Sequence, residues 1–304
     1  MNNILNVNLG NWRLDNPVIP ASGTFGYEFS QWYDINILGS ISLKTTTREP
    51  RFGNSTPRVA ECVGGMLNSI GLQNPGIEKV ISEEIPKFKK NFNKKIIASV
   101  GGNSIEDYVF VSKMFDSMEE VEILEINLSC PNVKNGGMSF GLDEKTVYHI
   151  CEKIKNSCKK KIYIKLSPNV TDIVSIAKSA ELSGADGLVL VNTLLGIAID
   201  ACSGKPIISN IFAGFSGPAI KPIALRMVYQ VFKNVKIPII GCGGIRNADD
   251  VIEFMSAGAS AVQIGSANLV NPFSCKNIID DLPKKMKKYG IQKIEEIIGR
   301  SHCI

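Results

Sequence analysis

Eight short runs rich in β-branched and other apolar residues punctuate the chain: Pro17 to Ser22, Ser40 to Thr45, Ile96 to Val100, Glu122 to Leu128, Ile162 to Ser167, Gly187 to Asn192, Ile237 to Gly243 and Ala261 to Ala267. Between them the apolar residues recur with helical spacing, at Ser104 to Ser117, Asp143 to Cys158, Thr171 to Ser183, Lys221 to Phe232 and Ala248 to Ala257. Ser104 ahead of Glu106-Asp107, and Thr171-Asp172, are helix start signals, while Gly184 and Gly258 supply stops. Strands alternating with helices pair in parallel through right-handed crossovers. Eight such units in 304 residues predict an α/β fold of the (β/α)8 TIM-barrel kind, a single domain over residues 1–304. An open nucleotide-binding sheet fits less well. Its one glycine-rich strand end, Gly241-Cys-Gly-Gly-Ile-Arg246, carries arginine where the third fingerprint glycine belongs.

In such a barrel the functional face is the carboxyl end of the strands. Those ends read Ser22, Lys44-Thr45, Ser99, Asn127, Lys165, Asn192-Thr193, Gly243-Gly244 and Gly265-Ser266. A lysine closing a strand is costly to bury without an anionic partner, so Lys44 and Lys165 together suggest an anion bound at the barrel mouth. The competing account is that both snorkel to solvent. Gly243-Gly244 and Gly265-Ser266 let backbone amides approach a phosphate, although glycine needed only for tight turns explains them too. Three connections exceed plain turns, Thr46 to Ile77, Ser129 to Leu142 and Leu194 to Ser216, and would stack as a lid over the mouth.

Composition narrows the function. With 44% hydrophobic and 21% charged residues the chain buries a sizeable core. Its formal net charge of +5 comes mostly from short lysine runs such as Lys159-Lys-Lys161 and Lys284-Lys-Met-Lys-Lys288, which read as solvated helix faces. No basic stripe with interleaved aromatics accompanies them, so a nucleic-acid partner is not expected. No apolar run approaches the roughly 18 residues of a spanning helix, and Met1-Asn-Asn-Ile-Leu lacks the form of a signal peptide; a cytoplasmic protein away from the membrane is expected. The eight cysteines include no Cys-x-x-Cys pair, so neither a metal site nor an iron-sulfur cluster has its usual ligand spacing in this chain. Only two histidines, His149 and His302, are present, leaving little for Ser-His or Cys-His machinery.

One cysteine stands apart. The run Val121 to Ile126 delivers Asn127-Leu-Ser-Cys130 into a loop that turns at Pro131 and carries glycines to Gly137. Cys130 at a strand-to-loop junction, beside asparagines, is a candidate base or nucleophile; a small cysteine that merely packs is the alternative. Asn68, Asn127, Asn132 and Asn192 offer donors and acceptors suited to a planar ring with carbonyls and a carboxylate, although any one asparagine also serves as a turn former.

These residues carry a resemblance over nearly the full length. Asn16-Pro-Val-Ile-Pro-Ala-Ser-Gly23, Lys44-Thr-Thr-Thr, Asn68-Ser-Ile-Gly-Leu-Gln-Asn-Pro-Gly76, Asn127 to Gly137, Lys165-Leu-Ser-Pro-Asn-Val170, Asn192-Thr-Leu-Leu-Gly196, Ser216-Gly-Pro-Ala-Ile-Lys-Pro222 and Gly243-Gly244 occur in order. Together they resemble the class 1 dihydroorotate dehydrogenases, most closely the catalytic subunits of class 1B. The resemblance implies an FMN enzyme that oxidises (S)-dihydroorotate to orotate in pyrimidine synthesis. It implies that Cys130 takes the C5 proton while hydride passes from C6 to flavin N5, with Lys165 near the flavin N1 and O2 edge. Cofactor contacts are implied for Ser22, Lys44, Thr45, Ser99, Asn127, Val191, Gly217, Gly243, Gly244, Gly265 and Ser266. Substrate contacts are implied for Lys44, Asn68, Ser69, Ile70, Gly71, Leu72, Asn127, Asn192 and Thr193. Ser99 stands where relatives carry asparagine and Ser266 where threonine is commoner, which puts one flavin hydrogen bond in question.

The chemistry suits the residues. A thiol has a free pKa of about 8.5, within reach of neutrality as a base. A lysine stabilises the negative charge of a reduced flavin. With neither a dinucleotide fingerprint nor clustered cysteines, reaching NAD requires a second subunit. The class 1B resemblance implies one, bearing FAD and a 2Fe-2S cluster, in a heterotetramer around a catalytic homodimer. Class 1A enzymes instead use fumarate as homodimers. A non-catalytic flavin-binding barrel and a dihydrouridine reductase are the remaining alternatives, the latter disfavoured by the unclustered charge.

Overall fold

A computed structural model describes residues 4–128 and 141–303. Cys130, Asn132 and the rest of 129–140 lie outside the described residues, and with them the proposed base.

Seven strands pair in parallel in the order Val18–Pro20, Ala261–Ile264, Ile239–Cys242, Gly187–Leu190, Lys161–Lys165, Val121–Asn127 and Ile96–Val100. Each lies within a run anticipated from the sequence or within one residue of it. The eighth run, Ser40 to Thr45, is a stave rather than a regular strand. Ser42 bridges Ile97 and Thr46 bridges Val100 on one side, while Gly39 N–H donates to Val18 O at 3.0 Å and Ser42 N–H to Pro20 O at 3.3 Å on the other. Pro20 has no N–H to return, which interrupts the ladder on that edge. The stave nonetheless joins the first and last strands and closes the barrel. Because these strands are covered by side chains inside the barrel and helices outside, they are buried on both faces; Ile96–Val100 and Gly187–Leu190 are buried throughout.

Five helices occur where the periodicity placed them: Ile105–Asp116, Glu144–Lys155, Ile173–Leu182, Lys221–Phe232 and Ala248–Ala257. Ser104, Asp143, Asp172 and Asn247 cap four of them, each accepting hydrogen bonds from first-turn amides. Ser274–Lys288 has no counterpart in the sequence pattern, because Pro283 falls inside it and breaks the expected period. Among the described residues no helix is long and apolar enough to cross a membrane.

The first and third long connections do meet over the mouth, by a means that periodicity did not reveal. Val59–Cys62 and Gly65–Asn68 form a hairpin, Ala213–Ser216 pairs antiparallel with Gly65–Asn68, and Leu194–Gly196 adds a fourth strand. Leu67, Ile208 and Ala213 form a separate small core beneath this sheet, packed against Ala60, Cys62, Ala198 and Phe215.

Candidate active site

A cavity of about 550 Å³ opens at the carboxyl ends of the barrel strands, between them and the antiparallel sheet. That size is ordinary for a small-molecule site. Its wall contains Ser22, Lys44, Thr45, Asn68, Ile70, Gly71, Leu72, Asn127, Lys165, Val191, Asn192, Thr193, Gly217, Gly243, Gly244, Gly265 and Ser266. Residues scattered over 245 positions of sequence thus reach one space because every barrel strand ends there. Two anticipated residues stand behind the wall. Ser99 is fully buried with its hydroxyl 2.9 Å from that of Thr45, and Ser69 is fully buried against the Asn54 side chain at 3.0 Å. Leu72 enters the wall with φ at 56°, a left-handed conformation that non-glycine residues rarely adopt.

The polar wall is a connected network. Asn127 donates its Nδ2 to Thr45 Oγ1 at 3.1 Å, Asn192 donates to Asn127 Oδ1 at 3.4 Å, and Thr193 N–H donates to Asn192 Oδ1 at 2.9 Å. The Tyr108 hydroxyl holds the Asn127 carbonyl at 2.8 Å from the helix behind. Lys44 runs close past Gly23, whose added Cβ would stand 2.9 Å from the Lys44 Nζ. Positive φ of 79° at Gly23 makes this approach possible.

Lys165 departs from the expectation of a ligand anion. The residue is 4% exposed and its ammonium already has a carboxylate inside the barrel: Glu125 Oε1 lies at 3.4 Å and Gln263 Oε1 at 2.9 Å. Gln263 in turn donates its Nε2 to Glu125 Oε2 at 2.5 Å, and Ser42 donates to the same oxygen at 3.4 Å. Burial alone would drive the Lys165 ammonium toward its neutral form; the Glu125 carboxylate outweighs this, aided by the Cys242 sulfur, and holds the pKa above the usual lysine value. Burial pushes the neighbouring Cys242 thiol up, against the opposing pull of Lys165. Glu125 and Gln263 lie inside their strands, away from the strand ends to which the barrel pattern points. A signal was present: an acid between Leu124 and Ile126, and an amide between Val262 and Ile264, are unusual in strands buried on both faces. Cys242 and Leu269 of the wall, and Val59, Met66, Gly214 and Ser216 from the antiparallel sheet, were also not anticipated.

The wall suits a phosphate-bearing, planar cofactor such as FMN. Gly243 and Gly244 both have positive φ, and an added Cβ at Gly244 would meet the Lys221 amide nitrogen at 2.7 Å. Gly265 is different: an added Cβ meets nothing nearer than Ala21 Cβ at 3.9 Å, so the space beside it is room in the cavity itself. Val191, Ile245, Ile70 and Leu72 offer apolar surface for a ring system, with Lys165, Asn127 and Thr45 as its polar complement.

Fold and cavity define a (β/α)8 barrel of the enzyme type, with its chemistry at the strand carboxyl ends. The family described as dihydroorotate dehydrogenase matches residues 4–286. Two relatives carry the name dihydroorotate dehydrogenase B (NAD(+)), catalytic subunit. The protein from Malacoplasma penetrans is 52% identical over 303 residues, covering 99% of each chain. That from a Geobacillus species is 54% identical over 301 residues, covering 98% of this chain and 96% of the relative. In fold the chain is similar to the Eimeria tenella enzyme crystallised with ferulenol, at a TM-score of 0.80 and 22% identity over 98% of this chain and 88% of that one. The chain belongs to the dihydroorotate dehydrogenase family.

Proposed function

We propose that residues 1–304 act as one domain that oxidises (S)-dihydroorotate to orotate in pyrimidine synthesis, as the catalytic subunit of an NAD-linked enzyme. The observation that carries this reading is the gathering of Lys165, Lys44, Asn68, Asn127, Asn192 and the glycine strand ends around one cavity, in a chain matched end to end by relatives of that name. Gly217, Gly243, Gly244, Gly265, Ser266, Ser22 and Val191 would hold FMN, which supplies a two-electron acceptor for hydride.

The remaining steps belong to the chain. Asn68, Asn127 and Asn192 with Thr193 receive the ring amides and carbonyls, fixing its orientation before reaction. Lys44 meets the substrate carboxylate. Lys165 supplies positive charge where negative charge develops on oxidation. Cys130 takes the C5 proton as a general base, without a covalent bond to the substrate. Electrons leave to NAD through a partner subunit with FAD and a 2Fe-2S cluster, docked to a homodimer of this chain. A cytoplasmic location belongs to the same reading; the seven described cysteines are all free, as in a reducing compartment.

Anaerobic mixing of the FMN-loaded chain with dihydroorotate tests this directly. Loss of the oxidised-flavin absorbance is expected, and a spectrum that stays unchanged rejects the function. Reoxidation by NAD only in the presence of the partner subunit, and not by fumarate, is expected next.

A further inference from the structure

Glu125 and Gln263 are enclosed in the barrel wall and fully buried, and neither lines the cavity. They are nonetheless bonded to Lys165, which does. Their hydrogens can be counted. A carboxylate only accepts, an ammonium only donates, and a glutamine amide does one at each end. Lys165 donates to Gln263 Oε1, so Gln263 must present its Nε2 to Glu125, and it does. The same ammonium lies 3.4 Å from Glu125 Oε1, so two buried groups of opposite charge form a close ion pair inside the barrel.

We infer that Glu125 is a positioning residue: its carboxylate, paired directly with Lys165, holds that side chain as an ammonium aimed from the barrel interior at the cavity. The inference deepens the proposed function, resting on it for the role of Lys165 but not for the geometry. Among the described residues, the titratable groups facing Lys165 are Glu125 from the preceding strand and Cys242 from Ile239–Cys242. Of these, the carboxylate forms the close ion pair.

Glu125→Gln keeps the shape and removes the charge. With no carboxylate left to offset its burial, the Lys165 ammonium is destabilised, so the variant favours the neutral amine.

A small amine-acylating reagent, applied to the FMN-free chain at about pH 9 and read peptide by peptide by mass spectrometry, reports the neutral form. Labelling of Lys165 is expected to rise about tenfold in Glu125→Gln, with the other lysines unchanged. In Gln263→Met, which loosens the packing but keeps the carboxylate, it should stay near the unaltered level. Equal labelling of Lys165 in the two variants and the unaltered chain overturns the inference. So does an equal rise in both variants, which would report access rather than charge. Should Glu125→Gln fail to fold, lysine Nζ NMR on the unaltered chain decides. A solvent-protected ammonium signal that survives after the exposed lysines deprotonate is expected, and its absence overturns the inference. Failure of the unaltered chain to bind FMN would sink the functional reading while leaving the labelling result intact.

Discussion

Asn127 donates its Nδ2 to the Thr45 hydroxyl across 3.1 Å, and this one bond determines which end of the Asn127 amide faces Asn192. The Thr45 hydroxyl also meets Ser99 at 2.9 Å, so it is fixed from behind. An orientation chosen by a buried hydroxyl is passed to a side chain on the cavity wall.

Thr45→Val therefore removes an acceptor without changing shape. A buried amide donor left unpaired costs about 1–3 kcal/mol, and the Asn127 amide becomes free to turn over. KM for dihydroorotate should rise about tenfold, and the melting temperature should fall by a few degrees. Steady-state kinetics beside a thermal melt check both.

Gly265→Ala and Gly217→Ala should separate cavity room from backbone necessity. At Gly265 a Cβ has space and no positive φ to oppose it, so the FMN-free variant should melt with the unaltered protein while its FMN affinity falls. At Gly217 φ is +122° and a Cβ would come within 2.5 Å of Gly65 Cα. That variant should lose more than about 1 kcal/mol of stability even without FMN. Flavin titration and differential scanning of both variants are the measurements.

Cys130→Ser replaces a thiol by a far weaker acid at the proposed base. General-base catalysis contributes about 10²–10⁴-fold, so flavin bleaching by dihydroorotate at neutral pH should slow within that range and recover in part as pH rises. A rate equal to that of the unaltered chain in stopped-flow mixing removes Cys130 from the role.

Asp249 joins the helix Ala248–Ala257 to Ser274–Lys288, accepting from Lys285 Nζ at 2.6 Å and the Tyr289 hydroxyl at 2.8 Å. These two hydrogen bonds, the lysine's first, hold its pKa below the usual 3.8. A depressed carboxylate stabilises the fold above its unfolded pKa and ceases to do so as pH falls through its folded one. Asp249→Asn should thus melt below the unaltered chain at neutral pH, and the gap should close on acidification below pH 3.8. A gap that persists at the lowest pH would assign the effect to packing.

Much of this protein is written locally. Alternating strand and helix periods, with Ser104 and Asp143 at their caps, determine the eightfold repeat, because period and capping depend on residues only a few positions apart. The strand-end polar residues followed, since a barrel exposes those ends on one face. What the tertiary structure decided is partnership. The antiparallel sheet joins Gly65–Asn68 to Ala213–Ser216 across about 150 residues, and no local pattern specifies such a pairing. Ser99 and Ser69 occupy anticipated strands and loops yet turn behind the wall, because a side chain's direction depends on the neighbours it meets. Lys165 shows the difference most clearly. Its sequence position announced a buried cation needing an anion, and only the closed barrel, by bringing Glu125 and Gln263 from neighbouring and distant strands, supplied one from inside the protein.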